Sequence, residues 1–351
     1  MELEQILNNI QLPDESIFNE AKKKWNSVAK PLHSLGLLED IIAKIAAIQK
    51  RSDISINKRA VVIMCADNGV VNSGVTQTGK EVTAIVSKNF TQSNASVCIM
   101  SEVAKVEVIA VDIGIDKDMS ACSILDKKIA NGTKNIEYGA AMTYEELIKA
   151  INTGIELVRQ LKDKGYTILA TGEMGIGNTT TSSAVTSVLL NTEVQKVTGR
   201  GAGLSDEALK RKIEVINRAI KINEPNKAKP LEVLQKLGGF DIAGLTGVFI
   251  GGAAYNVPII IDGFISATAA LAAYKICDKT KYYMIASHIS KEPAMKFILD
   301  ELKLEAVIHA NMSLGEGTGA VALFPLLDMA YAVYKKMSTF KDINIEEYKQ
   351  L

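Results

Sequence analysis

The 351-residue chain has no Cys-x-x-Cys pair, no histidine cluster and no excess of either charge. Its cysteines, Cys65, Cys98, Cys122 and Cys277, are scattered, and His33, His288 and His309 stand far apart in sequence. Neither set has the spacing of a zinc site, so no metal site is expected. Isolated thiols fit reduced cysteines in a cytoplasmic chain. Lys plus Arg and Asp plus Glu both number 40, a formal charge of zero. Nucleic-acid binders normally carry a basic excess, so that class is disfavoured, while a local anion site is not. The N-terminus, Met-Glu-Leu-Glu-Gln, is acidic and has no signal-peptide core. The most apolar stretch, Leu245 to Tyr274, is interrupted by Asn256, Pro258 and Asp262. It reads as buried core and not as a membrane span. Repeats, low-complexity tracts and long linkers are also missing.

What remains is an ordinary globular composition, 47% apolar and 23% charged, in a chain longer than one average domain. Residues 1 to 58 read as helical, with Leu35, Leu38, Ile41, Ile42, Ile45 and Ile48 at roughly helical spacing. Short apolar runs follow: Ala60 to Cys65, Val106 to Val111, Tyr166 to Ala170, Val257 to Ile261, Tyr282 to Ala286 and Ala306 to His309. Most are separated by segments long enough for helices. That alternation predicts an α/β fold, an open parallel sheet of about six strands flanked by helices, Rossmann-like. Residues 59–321 are expected to form this large domain. Residues 1–58 and 322–351 are expected to pack together as a small helical domain, ending in a polar tail from Ser338 to Leu351.

Several glycine-rich loops follow the strand-like runs. Ser313-Leu-Gly-Glu-Gly-Thr-Gly-Ala320 sets three alternating glycines around Glu316. Such a loop lets the backbone approach a ligand and adopt turns closed to other residues. It could equally be a plain turn with a solvent-facing glutamate. Thr171-Gly-Glu-Met-Gly-Ile-Gly-Asn-Thr-Thr180 imitates a P-loop, but Asn178 stands where that loop needs its lysine. A helix beginning near Asn178 would still suit one phosphate or a ribose, or simply carry an Asn/Thr cap. Thr198-Gly-Arg-Gly-Ala-Gly-Leu-Ser205 is followed by Lys210, Arg211 and Lys212, a phosphate cradle or a solvated helix face. Asp67 ends the first core strand in an Asp-Asn-Gly turn, and Asp262 ends another strand, where it faces a site or braces a loop. His288 has no identifiable partner and reads as structural.

Taken in order, Ala-Asp-Asn-Gly-Val, Gly-Glu-Met-Gly-Ile-Gly-Asn-Thr-Thr, Gly-Arg-Gly-Ala-Gly, Gly-Gly-Phe-Asp-Ile-Ala-Gly, Asp-Gly-Phe, Ser-His-x-Ser-x-Glu-Pro and Leu-Gly-Glu-Gly-Thr-Gly span Asp67 to Ala320. Together they resemble the nicotinate-nucleotide–dimethylbenzimidazole phosphoribosyltransferases, which make the lower-ligand nucleotide of cobamides. The resemblance implies transfer of the phosphoribosyl group from nicotinate mononucleotide to a benzimidazole nitrogen, with inversion at the anomeric carbon. It also implies a homodimer, a six-stranded α/β domain with a small helical one, and no cofactor or metal. By the same resemblance, Glu316 is the general base and Glu173 the second carboxylate. Phosphate and ribose contacts fall on Gly175, Gly177, Asn178, Thr179, Gly201, Ala202, Gly203, Lys212 and Ser290. The base would meet Asp67, Thr78, Lys80, Met174, Met312 and Leu314. The chain departs from the family pattern at Asn68, usually histidine, at Lys80, usually glutamine, and at Asp241, often glutamate. Two rival readings are a P-loop-like nucleotide hydrolase, disfavoured by Asn178, and a silent binding module, disfavoured because Glu173 and Glu316 are both present.

Overall fold

The computed structural model describes residues 3–348. The first two residues of the acidic N-terminus and the last three of the polar tail lie outside them. Six strands form one sheet: β1 (Arg59–Ala66), β2 (Glu107–Gly114), β3 (Leu125–Asp126), β4 (Ile168–Met174), β5 (Ile259–Ile261) and β6 (Met284–Ala286). Their order is β3-β2-β1-β4-β5-β6, and every pairing is parallel. This is the doubly wound order, whose direction of winding reverses between β1 and β4. The crevice above that reversal is where such sheets take ligands; Asp67 follows the end of β1 and Glu173 lies at the end of β4.

The strands read as unbroken apolar runs because both faces of the sheet are covered. Ala60, Val62, Met64 and Ala66 of β1 join one core, while Val61, Ile63 and Cys65 join the other. That alternation is the two-residue period of a strand. The first core is closed chiefly by helices Tyr144–Asp163, Phe240–Tyr255 and Phe264–Ile276. The second is closed by helices Glu15–Ser27, Leu37–Gln49, Glu81–Thr91, Ser96–Ala104 and Thr318–Lys336. Trp25 packs on Tyr334 with ring centroids 5.0 Å apart, tying the N-terminal helices to the C-terminal one. Arg59 grips Asp328 at 2.6 and 2.8 Å and ties that same helix to β1. The expected division at 58/59 falls just before β1, and that at 321/322 falls inside helix Thr318–Lys336.

One expected strand differs. Ala306 to His309 contributes only an isolated parallel bridge, His288 to Ile308. The sixth strand is instead the exposed pair Leu125–Asp126 on β2, too short to show a pattern. At the opposite edge, the Lys44 ammonium donates to the carbonyl of Met284 in β6.

Helices Tyr144–Asp163 and Phe240–Tyr255 cross with their backbones in contact. A Cβ added to Gly154 would lie 2.0 Å from the Gly244 carbonyl oxygen, and one added to Gly247 would lie 2.0 Å from that of Ile151. Neither clash can be relieved by a rotamer change, because the obstacle is main chain. Gly154→Ala should therefore destabilise the fold by about 1–3 kcal/mol, the usual range for overpacking. Gly139→Ala, whose Cβ meets nothing within 4 Å, is the control. Denaturant midpoints measure both, and an unshifted midpoint for Gly154→Ala would refute the backbone contact.

Candidate active site

A cavity of about 290 Å³ opens beyond the carboxyl ends of β4, β5 and β6. Its walls come from four loops: Val75 to Thr78, Glu173 to Thr179, Arg200 to Leu204, and Ser313 to Glu316. Lys212, Asp262, His288, Ser290 and Glu292 complete it.

The Glu316 loop is a strained turn. Gly315, Glu316 and Gly317 have φ of +88°, +62° and +95°, so a non-glycine residue is held in the left-handed region between two glycines. That conformation persists only where the surroundings impose it. Asp262 supplies the restraint. One of its oxygens accepts the Gly317 amide at 3.1 Å and the other the Ala320 amide at 3.0 Å. The carboxylate thus caps helix Thr318–Lys336 and braces the turn at the same time. Beneath, the turn rests on β4, where a Cβ at Gly172 would meet the Glu316 carbonyl oxygen at 2.6 Å. Of the Glu316 side chain, Oε2 is buried without a hydrogen-bond partner. Burial raises its pKa, opposed by the Val97 amide and reinforced by the charge of Asp262.

Glu173 belongs to a second set of buried groups. The Asn178 side-chain amide donates to Glu173 and, at 3.1 Å, to Asp241. Asn68 donates to the same Asp241 oxygen at 3.5 Å. Burial pushes the Glu173 carboxyl up to about 8; the Asn178 bond opposes this, and the charges of Asp241, Asp262 and Glu316 add to it. Asp241 rises to about 6 for the same first cause, burial. Two neighbouring carboxylates that share one amide group are thereby kept from ionising together. This explains Asn68 and Asp241, which sequence comparison with the family pattern exposed only as departures. Their polar side chains meet across the crevice, a pairing invisible along the chain.

The cavity also holds a buried cation. Lys212, only 1% exposed, donates to Thr179 Oγ1 at 2.8 Å and to the Gly199 carbonyl at 3.2 Å. Burial pulls its pKa down to about 8, and the Glu292 carboxylate opposes that shift. Helix Asn178–Leu190 starts here, with Thr179 in its first turn, where amides have no intrahelical acceptor. The loop above is already engaged: the Gly201 amide donates to Glu292 at 3.0 Å and the Gly203 amide to the Arg200 carbonyl at 3.1 Å.

The cavity therefore brings together Glu173, Met174, Gly175, Gly177, Asn178, Thr179, Gly201, Ala202, Lys212, Ser290, Thr78, Leu314 and Glu316. Four expected residues lie outside its lining. Asp67 is buried below, accepting the Asp116 amide at 2.8 Å. Lys80 turns outward to pair with Asp116. Gly203 lies against Gln77, and the Met312 carbonyl accepts the Lys291 amide at 3.0 Å. His288 does line the cavity. Its ring packs against Gly319 and contacts Ser287 Oγ at 2.9 Å. Burial lowers its pKa, with Asp262 opposing, which favours the neutral imidazole. Glu292 carried no assigned role in the sequence, although it stands in the Ser-His-x-Ser-x-Glu-Pro segment. Among the described residues no group of three or more His, Cys, Asp or Glu is placed to hold a metal ion.

Comparison with known proteins agrees with this geometry. A family model described as Phosphoribosyltransferase matches residues 10–345. Nicotinate-nucleotide–dimethylbenzimidazole phosphoribosyltransferase from Ruminiclostridium cellulolyticum is 47% identical over 100% of both chains. The protein of that name from Clostridium acetobutylicum is 46% identical, again over 100% of both. A crystal structure of CobT from Thermus thermophilus superposes with a TM-score of 0.90 at 34% identity, covering 95% of this chain and 100% of that one. The chain belongs to the nicotinate-nucleotide–dimethylbenzimidazole phosphoribosyltransferase family.

Proposed function

We propose that the chain moves the 5-phosphoribosyl group of nicotinate mononucleotide to 5,6-dimethylbenzimidazole or a related base. The reaction inverts the anomeric carbon, gives α-ribazole 5′-phosphate and nicotinate, and serves cobamide nucleotide-loop assembly. The observation that carries this reading is the polarity of one cavity. A buried carboxylate oxygen without a partner, on Glu316, and a buried ammonium, on Lys212, line the same cavity.

Nicotinate leaves from a cationic pyridinium, so its departure needs no proton donor. No diphosphate is displaced, so no metal clamp is required. The incoming base is the harder partner. As one ring nitrogen bonds to the anomeric carbon, the N–H on the other nitrogen becomes acidic, and Glu316 takes that proton. Val75, Val86, Met174 and Leu314 supply apolar walls for the aromatic base. Lys212, Thr179 and Ser290 receive the phosphate. Glu173, with its pKa near 8, carries its proton at neutral pH and so suits a hydrogen bond to a ribose hydroxyl better than charge stabilisation of an oxocarbenium ion. The two carboxyls are divided into acid and base by their surroundings.

The assembly is a homodimer in this reading. Ile85, Ile99, Val103 and Met329 are exposed on three helices of one face of the sheet, and Val103 is 79% exposed. Free thiols at all four cysteines suit the cytoplasm. No helix among the described residues is long and apolar enough to cross a membrane.

Mixing the protein with nicotinate mononucleotide and dimethylbenzimidazole should release nicotinate and form α-ribazole phosphate, resolved by chromatography. No product across a panel of benzimidazole, purine and phenolic acceptors would reject the proposal. Turnover should survive exhaustive chelation; loss with EDTA and recovery with one divalent ion would overturn the metal-free chemistry. Lys212→Ala should weaken nucleotide binding by ~1–3 kcal/mol, the range for a bond to a charged group, as read by calorimetry.

Glu316→Gln keeps size and reach but cannot take a proton, so turnover should fall by roughly 10²–10⁴. The base works ionised, and burial has raised its pKa. The wild-type rate should therefore drop on the acid side as Glu316 gains its proton, and the glutamine variant should lose that limb. Near-wild-type turnover in Glu316→Gln at saturating acceptor would move the role to another group.

A further inference from the structure

Lys212 is a buried ammonium whose hydrogen-bond acceptors are neutral, the Thr179 hydroxyl and the Gly199 carbonyl. It makes no ion pair among the described residues. A buried cation held only by dipoles tends to shed its proton. The charges on the elements packed around it are mostly spoken for. Arg200 pairs with Asp206, Lys196 with Glu193, and Lys236 with Glu232. Arg211 reaches away to Gly74, where its guanidinium lies 3.1 Å from a Cβ position. Lys210 and Lys291 are exposed, and His288 is disfavoured as a cation by burial.

Glu292 is different. One carboxylate oxygen accepts the Gly201 amide at 3.0 Å, and the other is buried without a partner. It presses on the same residue whose carbonyl Lys212 holds: a Cβ at Gly199 would sit 1.9 Å from that free oxygen. Gly199 is thus clasped from one side by the ammonium and from the other by the carboxylate. Only glycine leaves room for both.

We propose that Glu292 is a positioning residue for the phosphate end of the site: it fixes the Gly199–Gly203 loop and supplies the counter-charge that keeps buried Lys212 cationic. The inference rests on the reading of Lys212 as the phosphate ligand. It gives the Ser-x-Glu-Pro segment two tasks, a hydroxyl for the phosphate from Ser290 and a charge for the lysine from Glu292. It also explains why a carboxylate stands in a site built for an anion. Without it the cation would shed its proton more readily before the anion arrived.

The test is nicotinate mononucleotide affinity, measured by calorimetry in phosphate-free buffer from pH 6.5 to 9, with folding followed by thermal melting. In the wild type, affinity should fall as Lys212 loses its proton. Glu292→Gln keeps an oxygen for the Gly201 amide but removes the charge, so that fall should begin on the order of one pH unit lower. Binding should then be nearly equal at pH 6.5 and roughly fivefold weaker near pH 8, approaching tenfold at pH 9. Glu292→Asp should restore the wild-type pH dependence even if the shorter side chain weakens binding throughout. An unshifted profile in Glu292→Gln, or an equal loss at every pH, would overturn the counter-charge role while leaving the phosphate site intact. Lys212→Met should bind weakly and keep only the fall that Glu173 imposes as it ionises near pH 8, which Glu292→Gln should leave in place; wild-type binding by the Lys212→Met variant would instead remove the phosphate site itself.

Discussion

The grip of Asp262 on two backbone amides is the contact on which the rest of the site depends. A left-handed glutamate between two left-handed glycines is not a conformation that a loop adopts unaided. Here a single carboxylate closes the start of helix Thr318–Lys336 and in the same act pins Gly317. Asp262 is delivered by the end of β5, and the turn sits on Gly172 of β4. Glu316 is therefore aimed by two neighbouring strands of a rigid sheet and not by its own flexible loop. The strain is stored where the proposed general base must be held still.

The same crevice concentrates negative charge in low-dielectric surroundings. The charges of Asp241, Asp262 and Glu316 help to hold the proton on Glu173, and the charge of Asp262 raises the pKa of Glu316. A metal ion is the common remedy for such crowding, but protons and amide donors also suffice. Asn178 spreads its amide over two carboxylates, backbone amides neutralise Asp262, and Glu173 holds a proton into the neutral range. The outcome is an uneven division of labour from residues of one chemical kind.

Much of this was legible along the chain. Doubly covered strands have to be continuously apolar, so β1, β2 and β4 declared themselves, and the glycine-rich loops marked their ends. Asn178 and Ser205 sit at helix starts as their chemistry suggests, the latter accepting the Ala208 amide. What stayed hidden was whatever depends on pairing between distant segments. Leu125–Asp126 is a strand only because β2 lies beside it, and Ala306–His309 has a strand's composition with almost nothing to pair with. Asp67 and Lys80 were expected at the base, yet Asp116 engages both, the first through its amide and the second through its carboxylate. Glu292 could be seen in a motif, but its relation to Lys212 requires two chain segments to close on Gly199.

The two margins of the sheet have a consequence for the protein at high concentration. An open strand edge is a template on which another chain can add a strand, the first step toward fibrils. At one margin β6 is three residues long and a carbonyl on it is taken by the ammonium of Lys44. At the other, β3 is two residues long and runs straight into Lys127 and Lys128. Neither edge strand is long enough to offer a ladder of free amides and carbonyls, and the outer edge of β2 before Val111 lies without a partner strand. An all-parallel sheet, slow to assemble because its partners are distant in sequence, thus presents only short stretches, that of β2 among them, to intermolecular pairing once it has formed.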